Sequence, residues 1–217
     1  MFKRRWIIVS ISSLALICAA TLVRTALKHR QLVKHAVAYR IRAEQGDAKS
    51  QWALGAMYDY GRGVPKDDAE ALRWYRKAAE QGEANAEYAL AHMYHEGRGL
   101  PQDDLEAVRW CRKAAEQGND LAQYVLGGSY WQGRGVPQDY AEAVRWYRKS
   151  AEQGYPQAEY ALGYLYYYGY GVRRDRVQAD DWFQKAAAQG NEDAEKALEC
   201  YRKGISIDPG AGLRGLQ

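Results

Sequence analysis

Few side chains in this sequence can carry out covalent chemistry or hold a metal. Only 4 histidines and 3 cysteines occur among 217 residues, and nucleophilic catalysis needs a base beside the nucleophile. His92 and His95 are close enough to share a helical face, with Glu96 adjacent. Two histidines without further ligands usually mark polar positions on an exposed helix. We therefore predict no enzymatic activity, cofactor or metal, and keep a metal-dependent hydrolase using His92 and His95 as an alternative.

The sequence also lacks the signatures of phosphate and nucleic-acid binding. Glycine-rich segments such as 61–63 are not followed by the Lys-Ser/Thr that completes a phosphate-binding loop. The net charge is +4, but residues 1–46 hold nine Lys or Arg and one Glu, which leaves 22 basic and 26 acidic residues elsewhere. A mildly acidic domain is a poor ligand for nucleic acid, so we expect no nucleic-acid partner.

The main feature of the chain is a 36-residue repeat. The phrase Arg-Trp-Tyr-Arg-Lys-Ala-Ala-Glu-Gln-Gly ends at Gly82 and returns with small changes at the same spacing. Such a period is typical of stacked two-element units, none of which can bury its apolar face alone. The repeats predicted within 47–190 are 47–82, 83–118, 119–154 and 155–190.

Each repeat predicts two helices separated by a turn. In the first repeat, 48–59 has helical periodicity, and glycines with Pro65 then end the helix. Asp67 can cap a second helix, with Glu70 reaching back as in a capping box. This second helix ends at a glycine, and its predicted buried stripe is Ala71, Trp74, Tyr75, Ala78 and Ala79.

Charged residues opposite the buried stripe are spaced as ion pairs. Glu70 with Arg73, and Arg76 with Glu80, recur in the next two repeats, whereas the fourth repeat lacks both. Each exposed pair contributes about 0.3 kcal/mol. The pattern therefore predicts a solvated face rather than a binding site.

The two ends of the repeat array carry incomplete repeats. Residues 24–46 predict a basic linker helix followed by a half-repeat, because 38–46 align with 74–82. Residues 191–204 have the opening pattern of a first helix and predict a C-terminal capping helix. The tail 205–217 is expected to be flexible.

The repeats resemble the Sel-1-like repeat family, a branch of the tetratricopeptide-like helical solenoids. The resemblance covers 47–190 and rests on Ala-x-x-x-Leu-Gly-x-x-Tyr-x-x-Gly-x-Gly-Val and the Trp-Tyr-x-x-Ala-Ala-x-x-Gly ending. It implies an all-α fold, a right-handed α-α superhelical solenoid that serves as an adaptor for other proteins, often in the bacterial envelope. Cys111 and Cys200 lie in separate repeats that should not touch, so we expect two small buried residues and no disulfide between them.

An apolar segment precedes the repeats. Residues 6–23 carry no charge and follow a basic tail, 1–5, and eighteen helical residues span roughly 27 Å, about the thickness of a bilayer core. We predict a single transmembrane helix, with a cleaved secretion signal ending near Ala20 as the alternative. The basic segment 24–42 would suit anionic headgroups.

The side of the membrane on which the repeats lie is not fixed by charge. Counting positive residues favours a cytoplasmic C-terminus, whereas the short basic tail and the family resemblance favour export. We expect a periplasmic or other extracytoplasmic location, with the cytoplasmic face as the alternative.

Positions that vary between repeats are the candidates for partner binding. Three such positions on the first helix are spaced three and four apart, so they share one face that would line a concave groove. The candidate groove residues are Asp59, Tyr60, His92, His95, Glu96, Trp131, Gln132, Tyr164, Tyr167 and Tyr168.

This predicted groove becomes aromatic towards its C-terminal end. Tyr and Trp side chains suit the capture of a protein or peptide segment, although the same tyrosines could pack helix against helix. The sequence therefore predicts a membrane-anchored interaction adaptor or scaffold. The alternative is a cell-wall or carbohydrate-binding protein, or an accessory regulatory subunit of an envelope enzyme, because aromatic rings also stack on sugars.

Overall fold

The computed structural model describes the backbone of residues 2–203 and 205, and the side chains of residues 21–203 and 205. This part of the chain contains ten α-helices and no strand, which confirms the all-α prediction. The helices are α1 (Phe2–Glu44), α2 (Ala48–Tyr60), α3 (Asp68–Glu80), α4 (Ala84–Glu96), α5 (Asp104–Glu116), α6 (Asp120–Gln132), α7 (Tyr140–Glu152), α8 (Pro156–Tyr168), α9 (Arg176–Ala188) and α10 (Glu192–Arg202).

The chain divides into two compact units, Met1–Ala78 and Ala79–Gln217. In the first unit, α1 packs against α2. In the second unit, consecutive helices from α4 to α10 pack against each other. Contacts between sequence neighbours are the packing expected of a helical solenoid.

The helices begin and end near the predicted capping residues and glycines, with one difference in the capping hydrogen bonds. The carboxylate of Asp67 accepts hydrogen bonds from the backbone N–H groups of Ala69 and Glu70, both at 3.0 Å. The return bond of the capping box does not form, because the N–H of Asp67 donates to the carbonyl of Tyr58 at 3.0 Å. The carboxylate of Glu70 instead accepts from Arg73 and from the indole of Trp74.

Close packing between the two helices of a repeat explains a pattern of glycines. A Cβ added at Gly127 on α6 would lie 2.7 Å from Cδ1 of Tyr147 on α7. Gly55 has the same relation to Tyr75, and Gly163 a similar one to Phe183. The second repeat has an alanine at this position and a small residue, Cys111, opposite it. The predicted buried stripe and the four repeated leucines, Leu54, Leu90, Leu126 and Leu162, are buried.

One of the two predicted sets of ion pairs forms, and two pairs of the other set do not. The Glu–Arg pairs three residues apart form on α3, α5 and α7, with N–O distances of 2.7, 2.9 and 3.2 Å. Arg112 and Arg148 do not make the predicted pairs with Glu116 and Glu152. They donate instead to the hydroxyls of Tyr130 and Tyr166 on the next helix, at 2.6 and 2.5 Å. Arg40 donates in the same way to Tyr58.

The terminal segments meet the predictions to different extents. Of the predicted linker and half-repeat, residues 24–44 belong to one continuous helix, α1, whose Ala36 and Ala43 are buried, and residues 45–46 form a turn. After the fourth repeat, Asn191 caps α10 by accepting from the N–H of Ala194. Apart from residue 205, the predicted tail lies outside the described residues.

The predicted anchor at 6–23 lies almost entirely outside the residues whose side chains are described. Within the described residues, no helix combines the length and apolar character needed to cross a bilayer.

Candidate partner-binding site

The predicted groove residues are divided between the two units. Asp59 and Tyr60 belong to Met1–Ala78. Asp59 is buried and accepts a hydrogen bond from the hydroxyl of Tyr75 at 3.3 Å, so its role is structural. Tyr60 is 66% exposed, and the guanidinium of Arg62 lies 5.1 Å from its ring centroid. The other eight residues belong to Ala79–Gln217.

Three of those eight, His92, His95 and Gln132, line a pocket bounded by α4, α5 and α6. The pocket has a volume of about 220 Å³. Its floor is apolar and includes Val108 and Cys111, and its aromatic walls are Tyr88 and Tyr124. Apolar walls with a few polar groups are typical of binding pockets.

A hydrogen-bonded row of three side chains forms one edge of the pocket. Nδ1 of His95 lies 2.6 Å from Oδ1 of Asp104, and Nε2 lies 3.1 Å from Nη1 of Arg134. Because a guanidinium can only donate, Nε2 is the acceptor and Nδ1–H donates to Asp104. The imidazole is therefore contacted at both nitrogens, with the guanidinium beside it.

His92 and Glu96 pair with each other outside this row. Nδ1 of His92 lies 3.2 Å from the carboxylate of Glu96, which also forms an ion pair with Arg98 at an N–O distance of 2.7 Å. Both side chains are exposed. Among the described residues, no group of three or more His, Cys, Asp and Glu side chains is placed to hold a metal ion.

Cys111 and Tyr124 are two of the ionisable side chains that line the pocket. Burial raises the pKa of the Cys111 thiol to about 12, and the thiol donates to the carbonyl of Ala122 at 3.2 Å. Burial also raises the pKa of Tyr124. Both groups are therefore neutral at physiological pH, and Cys111 is not a reactive thiolate.

The C-terminal members of the predicted groove belong to an aromatic cluster formed by Trp131, Tyr140, Tyr164, Tyr168 and Tyr170. The ring centroids of Trp131 and Tyr140 lie 4.8 Å apart, and those of Tyr164 and Tyr168 also lie 4.8 Å apart. Tyr164 is only 1% exposed, whereas Trp131 and Tyr168 are half-buried.

Tyr167 lies beside the cluster and is 5% exposed. Its ring contacts that of Tyr168 at 4.9 Å, and the guanidinium of Arg176 lies 5.5 Å from its centroid. For Tyr164 and Tyr167, the structure favours the helix-packing alternative over an open groove.

The pocket and the aromatic cluster occupy equivalent places in successive repeats. Adding 36 to the pocket residues His95, Asp104, Gln132 and Arg134 gives the cluster residues Trp131, Tyr140, Tyr168 and Tyr170. Gly128, which also lines the pocket, corresponds in the same way to Tyr164. The pocket exists because small and polar side chains replace rings that fill the same space one repeat later.

Most residues that line the pocket were not among the predicted sites, including Tyr88, Asp104, Cys111, Tyr124 and Arg134. The sequence indicates the pocket at two positions, because Gly128 and Cys111 are small where the following repeat has tyrosine. Asp104 and Arg134 lie outside the first helix of a repeat, whereas the predicted groove residues all come from that helix.

The Sel1 repeat family matches the chain at 48–83, 84–119, 120–155, 156–191 and 192–206. A protective antigen of uropathogenic Escherichia coli strains with an SLR fold is 42% identical, with a TM-score of 0.75 over 80% of this chain and 37% of that one. A Sel1 repeat protein from Oxalobacter formigenes is 40% identical, with a TM-score of 0.73 over 77% of this chain and 49% of that one.

A shorter match of 38 residues, 53% identical, relates the chain to an exopolysaccharide production negative regulator of Rhizobium meliloti (strain 1021). It covers 18% of this chain and 14% of that protein. The chain thus spans less than half the length of each of these three relatives. With five consecutive repeat matches and helices that pack in sequence order, this chain belongs to the Sel1 repeat family.

Proposed function

We propose that this protein is an interaction scaffold that holds a segment of a partner protein at the pocket bounded by α4, α5 and α6. Sel1 repeat proteins generally act as scaffolds for protein interactions. The observation that carries the proposal is the open pocket itself, because the chain fills the equivalent space in the next repeat with its own aromatic rings.

The predicted site changes in extent under this proposal. His92, His95 and Gln132 stay in it, and Tyr88, Tyr124 and Arg134 join it because they line the same pocket. The half-buried Trp131 and Tyr168 provide a neighbouring aromatic surface for the same segment. The buried Tyr164 and Tyr167 support this surface from below.

Affinity capture with the full-length chain tests the scaffold. The variant combines His92→Ala with Gln132→Ala, which removes two side chains from the pocket. The control combines Arg109→Ala with Arg145→Ala, whose side chains are 64% and 60% exposed on α5 and α7 and do not line the pocket. A partner retained by the control and lost from the pocket variant supports the proposal. Equal recovery by both variants refutes the pocket as the site.

The apolar segment 6–23 is proposed as the membrane anchor, with the repeats on the extracytoplasmic side and 24–42 against anionic headgroups. The support is the run of eighteen uncharged residues between basic flanks. Leu16→Arg puts a charge in this run at a cost of about 3 kcal/mol. We expect it to move the protein from the membrane fraction to the soluble fraction. A reporter fused after Gln217 that is active only inside the cell would contradict export.

A second candidate function is binding of a cell-wall polymer. The half-buried rings of Trp131, Tyr140 and Tyr170, whose centroids lie within 5.3 Å of one another, favour it because sugars stack on such rings. Sedimentation of the full-length chain with isolated cell-wall polymer would support this function, provided that soluble polymer competes. Failure to sediment would leave the protein-binding scaffold alone.

A further inference from the structure

We infer that the pocket takes an aromatic side chain of the partner, a phenyl or phenol ring inserted where Tyr164 inserts one repeat later. This inference rests on the proposed scaffold function and names the chemistry of its ligand. It follows from comparing the two equivalent places residue by residue.

The first step concerns space. The ring of Tyr164 on α8 is almost completely buried, and the residue 36 positions earlier, Gly128, has no side chain. The floor residue Cys111 likewise stands where the next repeat has Tyr147. The resulting volume of about 220 Å³ is more than ten times the roughly 15 Å³ that one water molecule needs. The pocket is therefore large enough for a ring.

The second step concerns the groups that would surround this ring. Tyr164 meets Trp131 edge to face at 6.1 Å, and it meets Tyr170 nearly parallel, with an interplanar angle of 18°. The pocket has planar groups in the same two places, the imidazole of His95 and the guanidinium of Arg134. A guanidinium plane stacks on aromatic faces and is attracted by their quadrupole. An aliphatic side chain would gain only the apolar contacts.

The third step concerns charge. Arg134 is the cation of the pocket edge, and Asp104, hydrogen-bonded through His95, is its anion. Because the two charges offset each other, the pocket offers little to a carboxylate or a phosphate. The buried thiol of Cys111 adds no charge. A neutral ring with an electron-rich face fits this balance best.

Binding of p-cresol, which is the tyrosine side chain, tests the inference directly. The full-length chain is titrated with p-cresol, toluene and 4-methylcyclohexanol, and the ring-proton shifts of His92 and His95 are followed by NMR. We expect saturable shifts with p-cresol and toluene. We expect binding of the non-aromatic 4-methylcyclohexanol to be at least fivefold weaker. Equal binding by all three compounds, or no saturable shift, would overturn the aromatic occupant.

Two variants keep the test specific to this pocket. Gly128→Tyr should close the pocket from within and weaken p-cresol binding at least tenfold. Arg134→Gln leaves the helices intact and removes the stacking cation, so it should weaken binding at least threefold even if Gly128→Tyr fails to fold. Arg109→Ala serves as the control, because its side chain does not line the pocket, and it should bind as the parent does. Unchanged binding by both pocket variants would overturn the inference.

The outcome is separable from that of the scaffold proposal. Partner capture that depends on His92 and Gln132, together with absence of p-cresol binding, would overturn the aromatic occupant and keep the scaffold. Pocket-specific p-cresol binding without a captured partner would sustain the occupant and overturn the scaffold.

Discussion

The hydroxyl of Tyr75 donates to the buried carboxylate of Asp59 at 3.3 Å, and this pair is not repeated along the chain. In the third repeat, the equivalent residues are Tyr147 and Trp131, and an indole cannot accept the bond. The Tyr147 hydroxyl is buried and has no hydrogen-bond partner among the described residues. The fourth repeat has Phe183 at this position, which carries no hydroxyl.

Tyr147→Phe should therefore stabilise the protein by about 1 kcal/mol, because it removes a buried hydroxyl without a partner. The free energy of unfolding is measured by urea denaturation of the full-length chain. Tyr75→Phe is the matched control and should destabilise by a similar amount, since it removes the hydroxyl that donates to the buried carboxylate of Asp59. Equal effects of the two substitutions would contradict this account.

Gly127→Ala should destabilise the protein by about 1 kcal/mol. Its Cβ would lie 2.7 Å from Cδ1 of Tyr147, and overpacking of this kind costs about 1–3 kcal/mol, more than the gain in helix propensity of about 1 kcal/mol. The neighbouring Gly128→Ala faces the pocket and should stabilise by up to about 1 kcal/mol. Both substitutions are measured by thermal unfolding. If both stabilise the protein, the close contact relaxes without cost and the prediction is contradicted.

The glycine–tyrosine contact can be introduced into the second repeat, which lacks it. Cys111→Tyr alone should destabilise, because Ala91 stands where the other repeats have glycine. Adding Ala91→Gly should recover at least half of the loss. A double-mutant cycle with no coupling between these two positions would contradict the packing rule.

The bond between Arg148 and the hydroxyl of Tyr166, at 2.5 Å, should contribute a coupling free energy of about 1 kcal/mol. A double-mutant cycle with Arg148→Ala and Tyr166→Phe measures it. The same cycle between Arg148 and Glu152, the pair predicted from the sequence, should give a value close to zero. A larger coupling free energy for Arg148 with Glu152 than with Tyr166 would support the ion pair predicted from the sequence.

Two buried carboxyls should make stability depend on pH. Burial raises the pKa values of Glu87 and Glu159, which accept from Gln117 and Gln189 at 2.7 and 2.8 Å. A raised folded-state pKa means that the stabilising contribution is complete below the unfolded pKa, about 4.3, and is lost as the pH rises through the folded-state value. The parent chain should therefore lose stability on going from acid to neutral pH at these two sites.

Glu87→Gln with Glu159→Gln should remove this dependence. At the equivalent positions, Gln51 and Gln123 donate to backbone carbonyls eight residues earlier, at 3.0 and 3.1 Å, so the amide fits. We expect a gain of about 1 kcal/mol per site at neutral pH and none at about pH 4. Unfolding curves at both pH values, with the exposed Glu116→Gln as control, check this. A pH-independent gain would indicate another cause.

The sequence was sufficient to predict the helix ends and the buried residues within each repeat. Helix ends follow from Asp67 and Gly82, and the buried stripe follows from helical periodicity, because these depend on residues within one turn of each other. The Arg112–Tyr130 contact was not predicted, since its partners lie 18 residues apart and meet only when successive helices pack. The sequence predicts instead an ion pair between Arg112 and Glu116 on the same helix, and this prediction is wrong.

The candidate site was predictable in part for the same reason. Comparing repeats shows which positions vary, and His92, His95 and Gln132 were found in this way. It does not show whether a variable side chain fills space or leaves it empty. Variation between repeats therefore predicts Tyr164 as a groove residue, whereas its side chain is buried. The exchange of Tyr164 for Gly128 becomes interpretable only once the helices are placed side by side.

The central claim is that a partner docks at the pocket, and photo-crosslinking tests it most directly. A photoreactive amino acid is placed at Gln132, or at the exposed Arg145 on α7 as control, in the full-length chain in cells. We predict a discrete protein adduct from position 132 that is absent from position 145 and is lost when Gly128→Tyr fills the pocket. The same adduct from both positions, or its persistence with Gly128→Tyr, would contradict the account.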